Sequence, residues 1–192
     1  MRLIVGLGNP GGEYALTRHN IGVRVVERAS ARWSIPLSLR EAVRRGSGQL
    51  GTVEVTLAAP LTWMNQSGPA VKGLLDALAL LPADLIVVHD DLDLPLGRLR
   101  IKRQGGAGGH NGILSLFTFL ETDEFPRLKF GVGRPAPGQD PAEYVLSPFS
   151  AEELAAVEAA MDRAVEALHC MVVEGLDAAM NRYNPKAVMG DE

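Results

Sequence analysis

The sequence predicts one α/β layered domain, and three observations carry that expectation. Residues 3–5 and 85–88 are short runs, apolar throughout and bounded by turn formers, the pattern of strands covered on both faces. Amphipathic helical periodicities lie between and after these runs, so strand and helix alternate along the chain. The 192 residues are 46% hydrophobic and 22% charged, enough for one sizeable core and short for two.

The elements follow in order. After the first strand comes VGLGNPGGEY, a glycine-rich loop, and a helix starting near His19 that carries Ile21, Val25, Val26 and Ala29, with Thr17 as its N-cap. Residues 43–58 read as a hairpin joined around residues 48–51, with Val53, Val55 and Leu57 alternating against Thr52, Glu54 and Thr56. Ser67-Gly68-Pro69 opens a second helix with Val71, Leu74, Leu75 and Leu78 on its apolar face, and Pro82 marks its end. Beyond the strand at 85–88, residues 97–103 alternate again, with Leu99 and Ile101 on one face and Arg98, Arg100 and Lys102 on the other. A glycine loop then precedes a helix built on Ile113, Leu114, Leu116, Phe117 and Leu120, followed by a strand around Leu128, Phe130 and Val132. Ser150 and Glu153 form a capping box for a long helix through Leu154, Val157, Met161, Val165 and Leu168, and Gly175 breaks it before residues 178–183. The expected domain spans residues 1–185, with residues 186–192 a disordered tail.

Composition narrows the function. The net charge of −4 is unevenly spread: residues 1–134 carry 16 Lys+Arg against 12 Asp+Glu, and residues 135–192 carry 3 against 11. Acidity at one end leaves room for a polyanionic ligand on a basic face elsewhere. Cys170 is the single cysteine, so no internal disulfide can form, which fits a reducing cytosol. The apolar start is too short for a signal peptide or a membrane span.

Gly6, Gly8 and Gly11 have the spacing of a dinucleotide-binding turn. That turn requires the helix to begin inside the motif and an acidic residue about 20 positions on. Here the helix begins only near His19, and Glu27 falls inside it, so a dinucleotide is not expected. The loop instead puts Asn9 at the carboxyl end of a strand, where it serves either a ligand or its own turn.

Several residues could carry chemistry. In the first turn of a helix the dipole disfavours the His19 imidazolium and keeps a neutral ring that suits a general base, or the residue has no duty. Asp90 and Asp91 end the central strand and point to opposite faces; one could orient a histidine, or bind metal with Asp93, or both could be solvated. Gly105-Gly106-Ala107-Gly108-Gly109-His110-Asn111 at a helix start offers a concavity of free N–H groups for an anion. Met64 and Asn65 share a loop, as core filler and helix cap or as cleft wall. Ser47 lacks a nucleophile elbow, and Cys170 lacks an activating neighbour. Arg98, Arg100 and Lys102, continued by Arg103, lie about 6 to 7 Å apart along one strand face, close to phosphate spacing in RNA.

Taken together, GLGNPG with Tyr14 and T-R-H-N-I-G, P-x-T-x-M-N-x-S-G, HDDLDLP-x-G, GGHNG and a final YN resemble bacterial peptidyl-tRNA hydrolases. The likeness runs in register to Asn184 and departs at Ala107, where relatives often carry serine or histidine. The resemblance implies a single-domain three-layer sandwich, its twisted, mixed and mostly parallel sheet flanked by helices. It also implies a monomeric cytoplasmic enzyme that needs no cofactor and no metal, has no membrane or obligate protein partner, and cleaves the ester between a peptide and the 3′ end of tRNA.

Position by position, His19 matches the catalytic histidine and Asp90 its orienting carboxylate. Asn9, Asn65 and Asn111 match amides that hold peptide and water, Tyr14 and Met64 the cleft wall, and His110 a lid-side histidine. Lys102 matches a basic residue that receives the tRNA acceptor stem and Lys129 or Arg127 another, and Arg98, Arg100 and Arg103 are expected to bind tRNA from the same basic face. A non-catalytic RNA-binding relative, as in chloroplast splicing, is the alternative; the presence of His19, Asn9, Asn65 and Asp90 speaks for an enzyme.

Overall fold

A computed structural model describes residues 1–184. The tail expected at 186–192 lies outside the described residues. The strands are β1 (Arg2–Gly6), β2 (Ser38–Arg40), β3 (Val43–Leu50), β4 (Val53–Pro60), β5 (Leu85–Asp91), β6 (Leu99–Lys102) and β7 (Arg127–Gly131). The helices are α1 (Ile21–Arg32), α2 (Ser67–Ala77), α3 (Asn111–Leu120), α4 (Pro141–Val145), α5 (Ala151–Val173) and α6 (Leu176–Tyr183). Among the described residues these strands form one seven-stranded sheet in the order β2-β3-β4-β1-β5-β7-β6. The centre, β4-β1-β5-β7, is parallel. Both flanks are antiparallel, so parallel pairing is confined to the centre.

The central strands are apolar on both sides because helices cover both faces. Ile4, Ile86, Val88, Leu99, Ile101, Leu128 and Phe130 face α1 and α5, which contribute Val25, Val26, Met161, Val165 and Leu168. Leu3, Val5, Leu85 and Val87 face α2 and α3, which contribute Val71, Leu74, Leu75, Ile113 and Leu116. Each such side chain, taken fully out of water, contributes on the order of 1.5–3 kcal/mol. The Ser150/Glu153 capping box opens α5 as expected, and Gly175, at φ +97°, separates it from α6. Leu114 and Leu154, expected in the core, are exposed.

The hairpin differs from expectation. β3 runs on to Leu50 and turns at Gly51 and Thr52, so Gly48 lies inside the strand. A Cβ there would stand 2.7 Å from the Ile35 side chain, so this glycine admits the crossing segment rather than making the turn. The edge strand β2 has no apolar alternation and carries no sequence signal. At the other edge, the Asn184 amide closes β6: Ile101 N–H donates to its Oδ1 at 2.7 Å, and its Nδ2 donates to Ile101 C=O at 2.9 Å. That is the final YN motif covering an open strand.

Candidate functional site

The site forms at the carboxyl ends of β1 and β5, where a parallel sheet leaves a crevice. It depends on β1 and α1 touching backbone to backbone. A Cβ on Gly6 would meet Gly22 C=O at 2.3 Å, so the first glycine of the dinucleotide-like spacing serves close helix–strand contact. α1 is preceded by a 3-10 turn, Arg18–Asn20, which places His19 just before the helix rather than in its first turn. Thr17 does not cap this turn with its side chain, and its hydroxyl donates to Tyr14 C=O at 2.8 Å.

Asn9 is held on three sides. Its backbone N–H donates to Asn20 Oδ1 and its C=O accepts from Asn20 Nδ2, both at 2.9 Å. Its own Oδ1 accepts Met64 N–H at 2.8 Å, which leaves Nδ2 as a donor in the cleft wall. Asn9 is therefore more than a turn former, and it ties the β1 loop to the turn that carries Met64 and Asn65.

The chemical centre joins three segments far apart in the chain. His19 Nδ1 lies 3.0 and 3.1 Å from the two Asp90 carboxylate oxygens. A proton on Nδ1 donates to the carboxylate and leaves the Nε2 lone pair for the cleft. His110 Nε2 lies 3.0 Å from Asp90 Oδ1, while His110 Nδ1 accepts the N–H groups of Gly112 and Ile113 at 3.1 and 3.3 Å. His89 Nδ1 lies 2.7 Å from Asp90 C=O. Burial pushes the His89 ring well below the usual histidine range and keeps it neutral. Burial alone would raise Asp90, but the two imidazoles that bond and face it outweigh that and hold its carboxyl well below the usual range. Asp91 points away from this centre to Lys129 at 2.7 Å, as alternation along the strand requires.

One expectation changes here. The glycine loop was expected to offer free N–H groups to an anion, but the His110 ring caps them. The same ring changes the anion expectation for His110 itself: it lines the cleft with a side chain 6% exposed. The metal alternative at Asp90, Asp91 and Asp93 does not converge, since Asp91 pairs with Lys129 and Asp93 with Arg134. His19, Asp90 and His110 do bring one potential ligand atom each within 4.8 Å of one another. A ligating histidine donates its other ring N–H to an acceptor. The other nitrogen of His110 faces two backbone donors, so metal at Nε2 would set N–H against N–H. The residues suit proton transfer and do not fit a cation.

Around this centre the cleft measures about 730 Å³ and is lined by Asn9, Met64, Asn65 and Asn111, with Ala142, Val145 and Leu146 of the α4 segment opposite. Asn65 and Asn111 are exposed, with their amides open to a ligand. Tyr14 stands at the rim, edge-on to Trp63 at 5.7 Å. Arg18, adjacent to His19, is buried and anchors the α4–α5 connection. It donates to Ser147 Oγ at 2.9 Å, to Pro148 C=O and to Glu153 at 2.6 Å, and lies over the Tyr144 ring.

The basic face lies on β6 and β7. Arg98 and Arg100 are exposed, Lys102 is half-buried, and Arg100 pairs across the ladder with Lys129, whose amine reaches Asp91 at the cleft. Arg103 pairs with exposed Asp177. Arg127 is fully buried, donates to the C=O groups of Gly105 and Gly106 and lies over Phe117 and Phe125; it holds the glycine loop and is out of reach of RNA.

Sequence reasoning gave no role to Arg18, Asn20 and His89, although the T-R-H-N-I-G and HDDLDLP-x-G motifs contain them; Asn20 reads as a polar residue at a helix start, directly after the candidate base.

The peptidyl-tRNA hydrolase family model matches residues 3–190. The chain is 47% identical to a peptidyl-tRNA hydrolase of Synechococcus sp. (strain JA-3-3Ab), over all of this chain and 86% of that protein. It is also 47% identical to one of Dehalococcoides mccartyi (strain BAV1), over 96% of this chain and all of that protein. The crystal structure of peptidyl-tRNA hydrolase from Acinetobacter baumannii superposes with a TM-score of 0.90 at 35% identity, covering 96% of this chain and 94% of the other. A base–carboxylate pair in an amide-lined cleft, on that shared fold and at that identity, is what assigns this chain to the peptidyl-tRNA hydrolase family.

Proposed function

We propose that the chain hydrolyses the ester between a peptide, or an N-blocked amino acid, and the 3′ end of tRNA, acting in the cytoplasm as a monomer. The observation that carries this reading is the His19–Asp90 contact, with the His19 Nε2 lone pair left facing a cleft walled by Asn9, Asn65 and Asn111.

An ester of this kind is activated relative to an amide, so one oriented base and an oxyanion donor suffice without a serine nucleophile. His19 Nε2 takes a proton from water as the water oxygen bonds to the ester carbonyl carbon. Asp90, at Nδ1, steadies the imidazolium that forms. The Asn9 Nδ2 donor, with Asn65 or Asn111, holds the developing oxyanion and the peptide carbonyls. The carbon–oxygen bond to the ribose then breaks, and the proton returns from His19 to the 3′ oxygen.

The acceptor stem lies along Arg98, Arg100, Lys102, Arg103 and Lys129. Among the described residues, no carboxylate pairs with the first three. Arg103 and Lys129 exchange Asp177 and Asp91 for phosphate. A monomer is supported by the sheet edges, β6 closed by Asn184 and β2 only three residues long.

The test is release of tRNA from purified N-acetyl-aminoacyl-tRNA, with unblocked aminoacyl-tRNA as the comparison. His19→Ala lowers turnover by about 10²–10⁴-fold, the usual contribution of a general base, while uncharged tRNA still binds. Turnover near wild type would remove His19 from the role.

A further inference from the structure

We infer that His110 is a positioning residue for this reaction: fixed in one tautomer by the start of α3, it donates a hydrogen bond to Asp90 and divides that carboxylate between two imidazoles. The inference rests on the hydrolytic reading above, and one of its two tests does not.

The first N–H groups of a helix have no partner within it and are usually met by a side-chain oxygen. At α3 they are met by a ring nitrogen, with Gly112 and Ile113 N–H both directed at His110 Nδ1. Only an unprotonated nitrogen can accept them, so the proton of the neutral ring must sit on Nε2. That nitrogen lies 3.0 Å from Asp90 Oδ1, the same oxygen that lies 3.0 Å from His19 Nδ1. His110 cannot act as a base toward substrate while its lone pair is taken by α3 and its proton by Asp90. What it can do is fix the direction of Asp90 and absorb part of its accepting capacity.

A carboxylate with one imidazole partner concentrates its stabilisation on a proton held there. A carboxylate shared by two offers each less. In this arrangement His110 limits how firmly Asp90 retains the proton on His19, so that the ring can both take a proton from water and give it to the leaving ribose oxygen.

The other groups facing this centre are already engaged. His89 is neutral and bonded to Asp90 C=O, Asp91 and Lys129 neutralise each other, and Arg18 is paired with Glu153. Asp140, at the far wall of the cleft, caps α4 through Ala142 N–H.

Two substitutions separate the two nitrogens. Asn is a good helix N-cap and replaces the Nδ1 acceptor, but it is too short to replace the Nε2 donor. Gln reaches about as far as Nε2 and restores the donor to Asp90. In His110→Asn the acid limb of the kcat/KM profile for N-acetyl-aminoacyl-tRNA moves to higher pH by about one unit, the worth of one hydrogen bond to a charged group. In His110→Gln the limb returns toward its original position. A limb that stays in place in His110→Asn, including a uniform loss of rate at every pH, would overturn the inference.

The second test needs no substrate and no variant. In the 15N-histidine NMR spectrum of the unaltered chain, His110 shows an unprotonated Nδ1 and a protonated Nε2. The opposite tautomer would refute the inference outright. Failure of the unaltered chain to release tRNA would remove the hydrolytic reading and leave the tautomer result standing on its own.

Discussion

Replacing Asn20 with alanine isolates the support beneath Asn9. Asn20 is 4% exposed, and its amide makes two hydrogen bonds, both 2.9 Å, to the backbone N–H and C=O of Asn9. Each is worth about 1 kcal/mol net, and the partners left behind are the backbone groups of a part-buried loop, where an unmet donor or acceptor costs about 1–3 kcal/mol. Partial access of water to the loop puts the total near the lower end, at about 2 kcal/mol. For a chain of this size that corresponds to a loss of roughly 4–8 °C in Tm. The functional loss exceeds what this stability change would produce, because Asn9 Oδ1 also anchors Met64 N–H at 2.8 Å and its Nδ2 then loses its aim. A displacement of this kind lowers kcat/KM by about 10- to 100-fold at temperatures where the variant is fully folded. Urea denaturation and tRNA release from N-acetyl-aminoacyl-tRNA measure the two effects. The double variant Asn9→Ala/Asn20→Ala should lose little beyond Asn9→Ala alone, since the two act as one unit. Kinetics close to wild type in Asn20→Ala, or additive losses in the double variant, would refute the reasoning.

Two further outcomes follow from the electrostatics. Because the Asp90 carboxyl is held below its unfolded value, its contribution to stability is present above about pH 4 and is lost as pH falls through and below that value. The stability advantage of the natural chain over Asp90→Asn therefore narrows in acid, by up to about 1.4 kcal/mol per pH unit, and a difference constant in that range by urea titration would contradict the assignment. Replacing Arg98 and Arg100 with alanine lowers the slope of log affinity for tRNA against log salt by about 1.4–1.8, if each meets one phosphate, and leaves release from a substrate too short to reach β6 unchanged; an unaltered slope would move the RNA elsewhere.

The one-dimensional pattern was sufficient for the scaffold. Continuous apolar runs at β1 and β5 betray strands covered on both faces, and the Ser150/Glu153 box and Gly175 mark where α5 starts and stops, because these are local demands of backbone and solvent. The identities of His19, Asp90 and the three asparagines were also legible, since their motifs stand in order along the chain. What the pattern could not hold is direction. Whether the N–H groups after Gly109 meet an anion or a ring depends on where the His110 side chain turns, and whether Arg127 reaches RNA depends on Phe117 and Phe125 closing over it. Asn20 acquires its role only when the β1 loop folds back on the turn that carries it. Hydrogen bonds across 71 residues, as between His19 and Asp90, leave no periodicity in sequence. They are decided by sheet order, which sets β1 beside β5 and brings both carboxyl ends to one edge.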